Sequence, residues 1–492
     1  MSSRPSIRYA FAAAIMGVCL SAHPSGAQTE APILSASGPS AHTRPSIQLL
    51  RFDEDWNALC NPSVRTDFLD PLKCIPIKRH DSSSYLSIGG EFRGVYEDVL
   101  NDNWSKSPDP VNSFWLERFQ LFADTHFNSH ARLFLQLESG LEEGRPAGPR
   151  PIDKKDLDFL NAFVEFSTGG SDHKTQLRVG RQELQFGSGR LVAVREGPNV
   201  RQGFYGARLT QHANQWTIDA FAARPAVDNP GFFDNVPLQT TSFWGVFAEN
   251  NLGGSPARTF DVYYFGIDRK AATFNQGIAR EQRQTIGARI ASGTPSASDR
   301  RTIIPHYDLE AVYQFGAFGS GSIDAWTFAS ETGITLGRVA TRPRLGMRAD
   351  VASGDKDKNS PNLQTFNPLF PIGNYFGVLS DTGPGPVNFY DLHPDLRTYF
   401  RHGISLDADW VIWWRQSLGD GVYNVPGNLL VPAGESQARF VGHRPGMEIR
   451  WQRDSHFYMQ ADYGIFYAGS FLRQSGRPNN LNYASFWTGF KF

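Results

Sequence analysis

Residues 85–97, YLSIGGEFRGVYE, decide the fold, because apolar and polar side chains alternate along them with a period of two. Successive side chains of a strand point to opposite faces, so this pattern predicts a strand with one apolar and one polar face. The alternation recurs through the last residue of the chain. It suits a soluble sandwich as well as a membrane barrel, and by itself does not choose between them.

Two further features favour the membrane. The pattern runs for about 400 residues without a helical period, far beyond one sandwich of about 100 residues, and an export signal and a terminal aromatic residue frame it. We therefore predict an all-β, transmembrane antiparallel barrel of eighteen strands, an even number as in bacterial outer membranes. The strands are predicted to begin near residues 84, 114, 130, 158, 174, 203, 214, 242, 258, 283, 306, 321, 343, 390, 404, 437, 455 and 481.

The lengths of the predicted links alternate. Outer-membrane barrels join short periplasmic turns to long outer loops, and this parity places both chain ends in the periplasm. Residues 293–305 and 316–320 depart from it, so the count could differ by two there. The longest link, residues 352–389, holds Phe366, Leu369, Phe370, Tyr375 and Phe376. A solvated loop needs no such cluster, so we expect this link to fold into the lumen or to cap it.

The N-terminus is predicted to be a signal peptide over residues 1–27, followed by a periplasmic extension over 28–83 and the barrel over 84–492. Arg4 and Arg8 precede a short apolar stretch, and Ser25 to Ala27 offer small residues for cleavage. A short buried helix is the alternative. Removing residues 1–27 changes the formal net charge from −1 to −3, so no nucleic-acid partner is expected. The predicted location is the bacterial outer membrane.

Cys60 and Cys74 remain after cleavage. An even pair in an exported chain suggests a disulfide, which in the chain-entropy treatment contributes about 3 kcal/mol for a loop of about 15 residues. Two free thiols or a metal pair are the alternatives, and no convincing third and fourth metal ligand lies nearby.

The chain ends on an apolar face formed by Ala484, Phe486, Phe490 and Phe492. We interpret Phe490 and Phe492 as a signal for the outer-membrane insertion machinery; an ordinary strand that ends in Phe by chance is the alternative. No run of about 18 apolar residues follows the signal peptide, and the mean hydropathy of −0.38 argues against several membrane helices.

Motifs for enzyme chemistry are missing from the sequence: there is no G-x-S-x-G elbow, no H-E-x-x-H and no P-loop. We predict no catalytic site, no cofactor and no metal. Asp355 to Asn359 resemble the start of a calcium loop, but Ser360 stands where Gly is required and Phe366 where Glu is required. A solvated turn is the preferred interpretation.

Several segments resemble the alginate-export family of outer-membrane barrels. They are YLSIGGEFR at 85–93, LRVGRQ at 177–182, ASGD at 352–355, WWRQ at 413–416 and WTGFKF at 487–492. The resemblance covers most of residues 50–492 and implies an eighteen-stranded barrel with arginines in its lumen, which in the founding exporter passes an anionic polysaccharide. That exporter has a long periplasmic link between late strands that plugs the pore. Residues 452–455 form a tight turn here.

The predicted function is a passive channel for small anionic solutes or an anionic polysaccharide such as alginate, embedded in outer-membrane lipid. The predicted lumen arginines are Arg93, Arg118, Arg132, Arg178, Arg208, Arg289, Arg344, Arg348 and Arg415. The acids on the same face are Glu91, Asp124, Glu138, Glu165, Asp219, Glu310, Asp407 and Asp409. A charge count therefore leaves the selectivity open. A structural or adhesive surface barrel is the alternative, and an outer-membrane hydrolase is a weaker one.

Arg178 and Arg208 lie on neighbouring predicted strands. If the two side chains meet, they form a cationic patch that suits carboxylates, because a guanidinium binds a carboxylate in a bidentate manner. The alternative is that they only neutralise Glu165 and other lumen acids.

Overall fold

The computed structural model describes residues 44–492 except 79–80, 106–111, 171–172, 255, 294, 296–298, 300, 378–382 and 435. The predicted signal peptide, residues 1–27, and the first part of the predicted extension, residues 28–43, lie outside the described residues.

Eighteen antiparallel strands form a closed barrel in the described part of the chain, as the sequence predicted. The first and last strands pair from Glu91–Lys491 to Leu100–Asn482, which closes the ring. The thirteenth strand is interrupted at residues 349–350. In chain order the strands are β1 (Tyr85–Leu100), β2 (Asn112–His126), β3 (Ala131–Glu143), β4 (Lys155–Gly170), β5 (His173–Gln182), β6 (Phe204–Ala213), β7 (Trp216–Val227), β8 (Thr241–Gly253), β9 (Arg258–Phe274), β10 (Gly277–Ser292), β11 (Ile304–Phe318), β12 (Gly321–Thr335), β13 (Arg344–Arg348 with Val351–Ala352), β14 (Phe389–Tyr399), β15 (Ile404–Arg415), β16 (Phe440–Gln452), β17 (Phe457–Ala468) and β18 (Leu481–Lys491).

The alternation of side chains sorts each strand into two faces. On β2, Trp115 and Phe119 are exposed on the outer surface, whereas Arg118, Gln120 and Phe122 are buried on the lumen side. An apolar outer face matches a lipid environment, and a largely polar inner face matches an aqueous lumen. The alternation in the sequence therefore reflects the two surroundings of the barrel wall.

Short and long links alternate as predicted, with the two exceptions that the sequence also showed. A long link, residues 293–303, joins β10 to β11 at the end of the barrel where β1 begins and β18 ends, and residues 319–320 form a short link at the opposite end. The structure retains eighteen strands in spite of both. We call the end where β1 begins the terminal end and the opposite end the loop end.

Two long links enter the lumen from the loop end. Loop A, residues 183–203, joins β5 to β6, and loop B, residues 353–388, joins β13 to β14. Val192 of loop A and Phe370 of loop B form a parallel bridge, extended by a hydrogen bond of 2.9 Å from the Ile372 amide to the Gly189 carbonyl. The prediction that loop B folds into the lumen is confirmed for its described residues, since Phe366 is 2 % exposed.

The extension before β1 covers the terminal end. It contains three short 3-10 turns (Arg51–Asp53, Asn57–Cys60 and Pro62–Val64), helix α1 (Asp70–Lys73) and a strand of two residues (Ile75–Pro76) that pairs with the start of β1. Cys60 and Cys74 form a disulfide in the structure. Arg51 donates hydrogen bonds to the carbonyl oxygens of Gly90 (3.1 Å) and Phe492 (2.6 Å), on the two sides of the closing seam.

A second helix, α2 (Ser470–Gln474), lies in the link between β17 and β18. None of the helices in the described residues is both long and apolar enough to cross a bilayer.

Candidate permeation pathway

The loop-end half of the lumen is filled by an apolar cluster. Phe186 of loop A stacks with Phe221 and Phe247 of the wall, at 5.2 Å between ring centroids in both pairs. Phe370 of loop B contacts Phe204 and Phe243 at 5.0 Å. A pathway through this half must therefore pass between loops rather than along an open tube.

Loop A is fixed to the wall by buried arginines. Arg93 and Arg118 are opposite each other on β1 and β2. Arg93 donates to the carbonyl oxygens of Glu196 (2.6 Å) and Pro198 (3.1 Å). Arg118 pairs with the carboxylate of Glu196 at 2.6 Å and with Glu91 at 2.9 Å. Both guanidinium side chains are 0 % exposed.

Arg93, Arg118 and Arg415 were predicted from the sequence to be lumen arginines. Their side chains are on the lumen side, as the alternation predicts, but loops cover them. Arg415 donates to the carbonyl oxygens of Ser436 (2.8 Å) and Ala438 (2.6 Å) and stacks on Phe471. The sequence shows which face a side chain takes but not whether a distant loop covers that face.

Loop A also contributes acids with opposite pKa shifts. Burial opposes ionisation of Glu196, but Arg118 and Arg201 outweigh it and hold the pKa of Glu196 at about 2. Burial raises the pKa of Glu183 to about 7, although Arg201 lies 3.0 Å away and opposes the rise. Glu196 therefore remains ionised at neutral pH and holds the loop to the wall.

Arg190 is a further contact of loop A that the sequence analysis missed. Its Nη1 lies 3.0 Å from Asp308 and 3.1 Å from Glu310, both on β11. Loop A begins at β5, so this ion pair ties it to a distant part of the wall. Residues 183–203 have no regular period, and no local signal in the sequence pointed to this contact.

The terminal-end half of the lumen holds the charges that remain in contact with water. On β13, Arg344 and Arg348 share the carboxylate of Glu331, with a distance of 3.1 Å from Arg348. The side chain of Arg348 is 34 % exposed. Arg397 is opposite Arg344 in register and pairs with Asp407 at 2.6 Å.

Arg178 and Arg208, which the sequence places on neighbouring strands, are direct register partners on β5 and β6. Both are also neutralised, the alternative that the sequence left open. Arg178 pairs with Glu165 at 2.6 Å, and Arg208 pairs with Asp219 at 2.8 Å. The pair is therefore not a free cationic patch.

Two other predicted arginines are partly buried at the terminal end. Arg132 pairs with Asp124 at 2.6 Å and donates to the carbonyl oxygen of Phe52 at 2.7 Å. Arg289 pairs with Asp308 at 2.9 Å and with Asp261 at 2.7 Å.

Asp355, the first residue of the calcium-like segment, is 1 % exposed. It accepts hydrogen bonds from the amides of Asp357 (2.8 Å) and Gln364 (3.2 Å) and so organises loop B. Among the residues that the structure describes, no three His, Cys, Asp or Glu side chains are placed to hold a metal ion.

Comparisons with known proteins agree with this architecture. The family model described as alginate export matches residues 84–485. No curated protein sequence matches the chain.

Solved structures of outer-membrane porins share the fold. A BenF-like porin from Pseudomonas fluorescens Pf-5 is 11 % identical, with a TM-score of 0.56, covering 83 % of this chain and 98 % of that one. OccK5 (OpdH) of Pseudomonas aeruginosa is 13 % identical, with a TM-score of 0.53 and coverage of 83 % and 98 %. OccK2 (OpdF) of the same organism, solved in complex with glucuronate, is 12 % identical, with a TM-score of 0.53 and coverage of 82 % and 98 %.

Proposed function

Since the chain belongs to the alginate export family, we propose that it is an outer-membrane channel that passes small anionic solutes or an anionic polysaccharide by passive diffusion. The observation that supports this most is the group of arginines on β13 and β14. One carboxylate, Glu331, serves both Arg344 and Arg348. Asp395 interacts electrostatically with both arginines but forms no ion pair within 4.0 Å among the described residues.

A guanidinium that shares its acid and faces water can bind the carboxylate of a passing solute. Arg348 meets both conditions, since a third of its side chain is exposed. Glucuronate, which was bound in one of the similar structures, is a uronic acid with such a carboxylate. Uronic acids and their polymers are therefore the first cargo to examine.

Reversal potentials in planar bilayers test the proposal. The wild type should prefer chloride over potassium weakly, and Arg344→Ala with Arg348→Ala should reduce that preference, because two lumen cations near the aqueous path are removed. Arg280→Ala is the matched control, since Arg280 is exposed on the outer face and pairs with Asp268.

A cation-selective wild type would contradict the anionic cargo. A wild type that conducts no ions would instead favour a structural or adhesive surface barrel.

Location and assembly rest on the terminal aromatic face. Phe486 is exposed on the outer surface, and the backbone of Phe492 pairs with Gly90 at 2.9 Å in both directions. Deleting Phe492 should leave the protein unassembled in the periplasm, as checked by fractionation and by the heat-dependent gel shift of folded barrels. Normal assembly of the truncated protein would show that the terminal residue is not the signal.

A further inference from the structure

The extension places Phe52 against a row of aromatic side chains in the lumen. Phe122, Phe134 and Phe163 are neighbours on β2, β3 and β4, with ring centroids 5.4 and 5.3 Å apart along the row. Phe52 packs edge-on against Phe134 (5.8 Å) and Phe163 (5.4 Å). The three wall rings thus form an apolar slot at the terminal end, separate from the cluster around loops A and B, and Phe52 fills it.

Arg178 completes this slot. Its Cζ lies 4.2 Å from the Phe52 ring centroid and 4.3 Å from that of Phe163. Its Nε and Nη2 donate to Glu165, whereas the buried Nη1 has no hydrogen-bond partner in the structure. The guanidinium lies beside an aromatic ring and has one N–H without an acceptor. This arrangement fits a ligand that carries both a ring and a carboxylate group.

Asp53, the residue after Phe52, carries a carboxylate close to this ring. Its side chain is exposed although wall strands surround it, which places the carboxylate in the water of the lumen. It interacts electrostatically with Arg178, Arg208 and Arg132, from three different strands. Among the described residues no ion pair within 4.0 Å joins Asp53 to these arginines, so the Phe52 ring contacts the patch directly whereas the carboxylate of Asp53 lies only in its neighbourhood.

We propose that this patch, formed by Phe134, Phe163 and Arg178 with Arg208 nearby, is a subsite for ring-bearing carboxylates, and that Phe52 occupies its aromatic part as a built-in competitor, with the charge of Asp53 nearby. The inference rests on the proposed channel function and names a cargo class for it. A solute of this class displaces the two residues to bind, whereas a carboxylate without a ring gains too little from the aromatic row to do so.

The first experiment is limited proteolysis with trypsin of the wild-type protein in detergent. Arg51 is 2 % exposed while the extension is docked, so cleavage after Arg51 reports displacement. Benzoate should increase the cleavage rate about tenfold, because the cleavable state becomes the ligand-bound state, whereas acetate and benzyl alcohol should not. Equal effects of benzoate and acetate would overturn the subsite.

The second experiment measures current block by benzoate in planar bilayers. Phe52→Ala with Asp53→Asn should lower the blocking concentration about tenfold, because the competitor is removed, and adding Arg178→Ala should abolish the block. Asp55→Asn should behave as wild type, since Asp55 is exposed on the same segment and bonds only the Asn57 amide among its described contacts.

An unchanged blocking concentration in the Phe52 and Asp53 variant would also overturn the proposal. The two hypotheses fail separately. A cation-selective pore that benzoate still blocks contradicts the proposed function alone, and an anion-selective pore indifferent to benzoate contradicts the subsite alone.

Discussion

Two ion pairs of equal length lie at different places in the lumen and differ in the burial of their arginines. Arg118 of the wall and Glu196 of loop A are 2.6 Å apart; the side chain of Arg118 is 0 % exposed and that of Glu196 is 34 % exposed. Arg397 and Asp407 are also 2.6 Å apart, but their side chains are 28 % and 26 % exposed. The covered arginine, Arg118, fixes a loop, whereas Arg397 keeps part of its side chain in water. Burial of the arginine, and not the length of its ion pair, distinguishes the two.

Removing a covered arginine should lower the free energy of unfolding more than any other change considered. Arg118→Ala breaks the buried ion pair with Glu91 and removes one partner of Glu196, and breaking a buried pair costs about 4 kcal/mol. Arg397→Ala is the matched variant on the wet side, where an exposed pair contributes about 0.5 kcal/mol. Unfolding in guanidinium chloride from detergent micelles measures both. Similar losses of unfolding free energy in the two variants would contradict the distinction between Arg118 and Arg397.

Removal of the disulfide in the extension should have the second largest effect on stability. Replacing Cys60 and Cys74 by Ser should destabilise the docked extension by about 3 kcal/mol, since the pair closes a loop of about 15 residues. Trypsin cleavage after Arg51 should accelerate while unfolding of the barrel stays unchanged. Mass spectrometry of the unreduced wild type checks the pairing itself, and two alkylatable thiols would contradict it.

Lowering the pH should weaken the attachment of loop A, because Glu196 becomes protonated. Its pKa of about 2 is below the ordinary value of 4.5, so its contribution is present above pH 4.5 and is lost as pH falls towards 2. At neutral pH this amounts to about 2 kcal/mol once partial exposure is allowed for. The stability difference between wild type and Glu196→Gln should therefore shrink as pH falls. A difference that stays constant over this range would contradict the ion pair.

The smallest effect on stability is expected for Arg348→Ala. Its side chain is one-third exposed and shares Glu331 with Arg344, so the change should be under about 0.5 kcal/mol. Its effect should instead appear in the reversal potential, which ought to move towards cation preference. A destabilised barrel with unchanged selectivity would place Arg348 with the structural arginines.

The sequence predicted the strands well because a period of two is a local property. Predicted starts at 258 and 404 coincide with β9 and β15, whereas the start near 283 was six residues late for β10 (Gly277–Ser292). That strand opens with Gly277 and other residues that lack clear alternation. The lumen-facing orientation of Arg178 and Arg208 followed from the same period.

The interior could not be predicted in this way because its contacts join distant parts of the chain. Arg190 reaches Asp308, 118 residues further on, and Phe52 reaches Phe163 across three strands of the wall. Neither residue lies in a periodic segment. The alternation defines the wall, and the three-dimensional path of the loops and of the extension then decides which of its charges remain in water.

The two hydrogen bonds of Arg51 bear on the order of assembly. Their acceptors, the carbonyl oxygens of Gly90 and Phe492, belong to the first and last strands, and they come within reach of one guanidinium only after those strands have joined. Docking of the N-terminal segment is therefore a late event that requires a finished ring. The residues around Arg51 thus reach their final place after Phe492 has found its own.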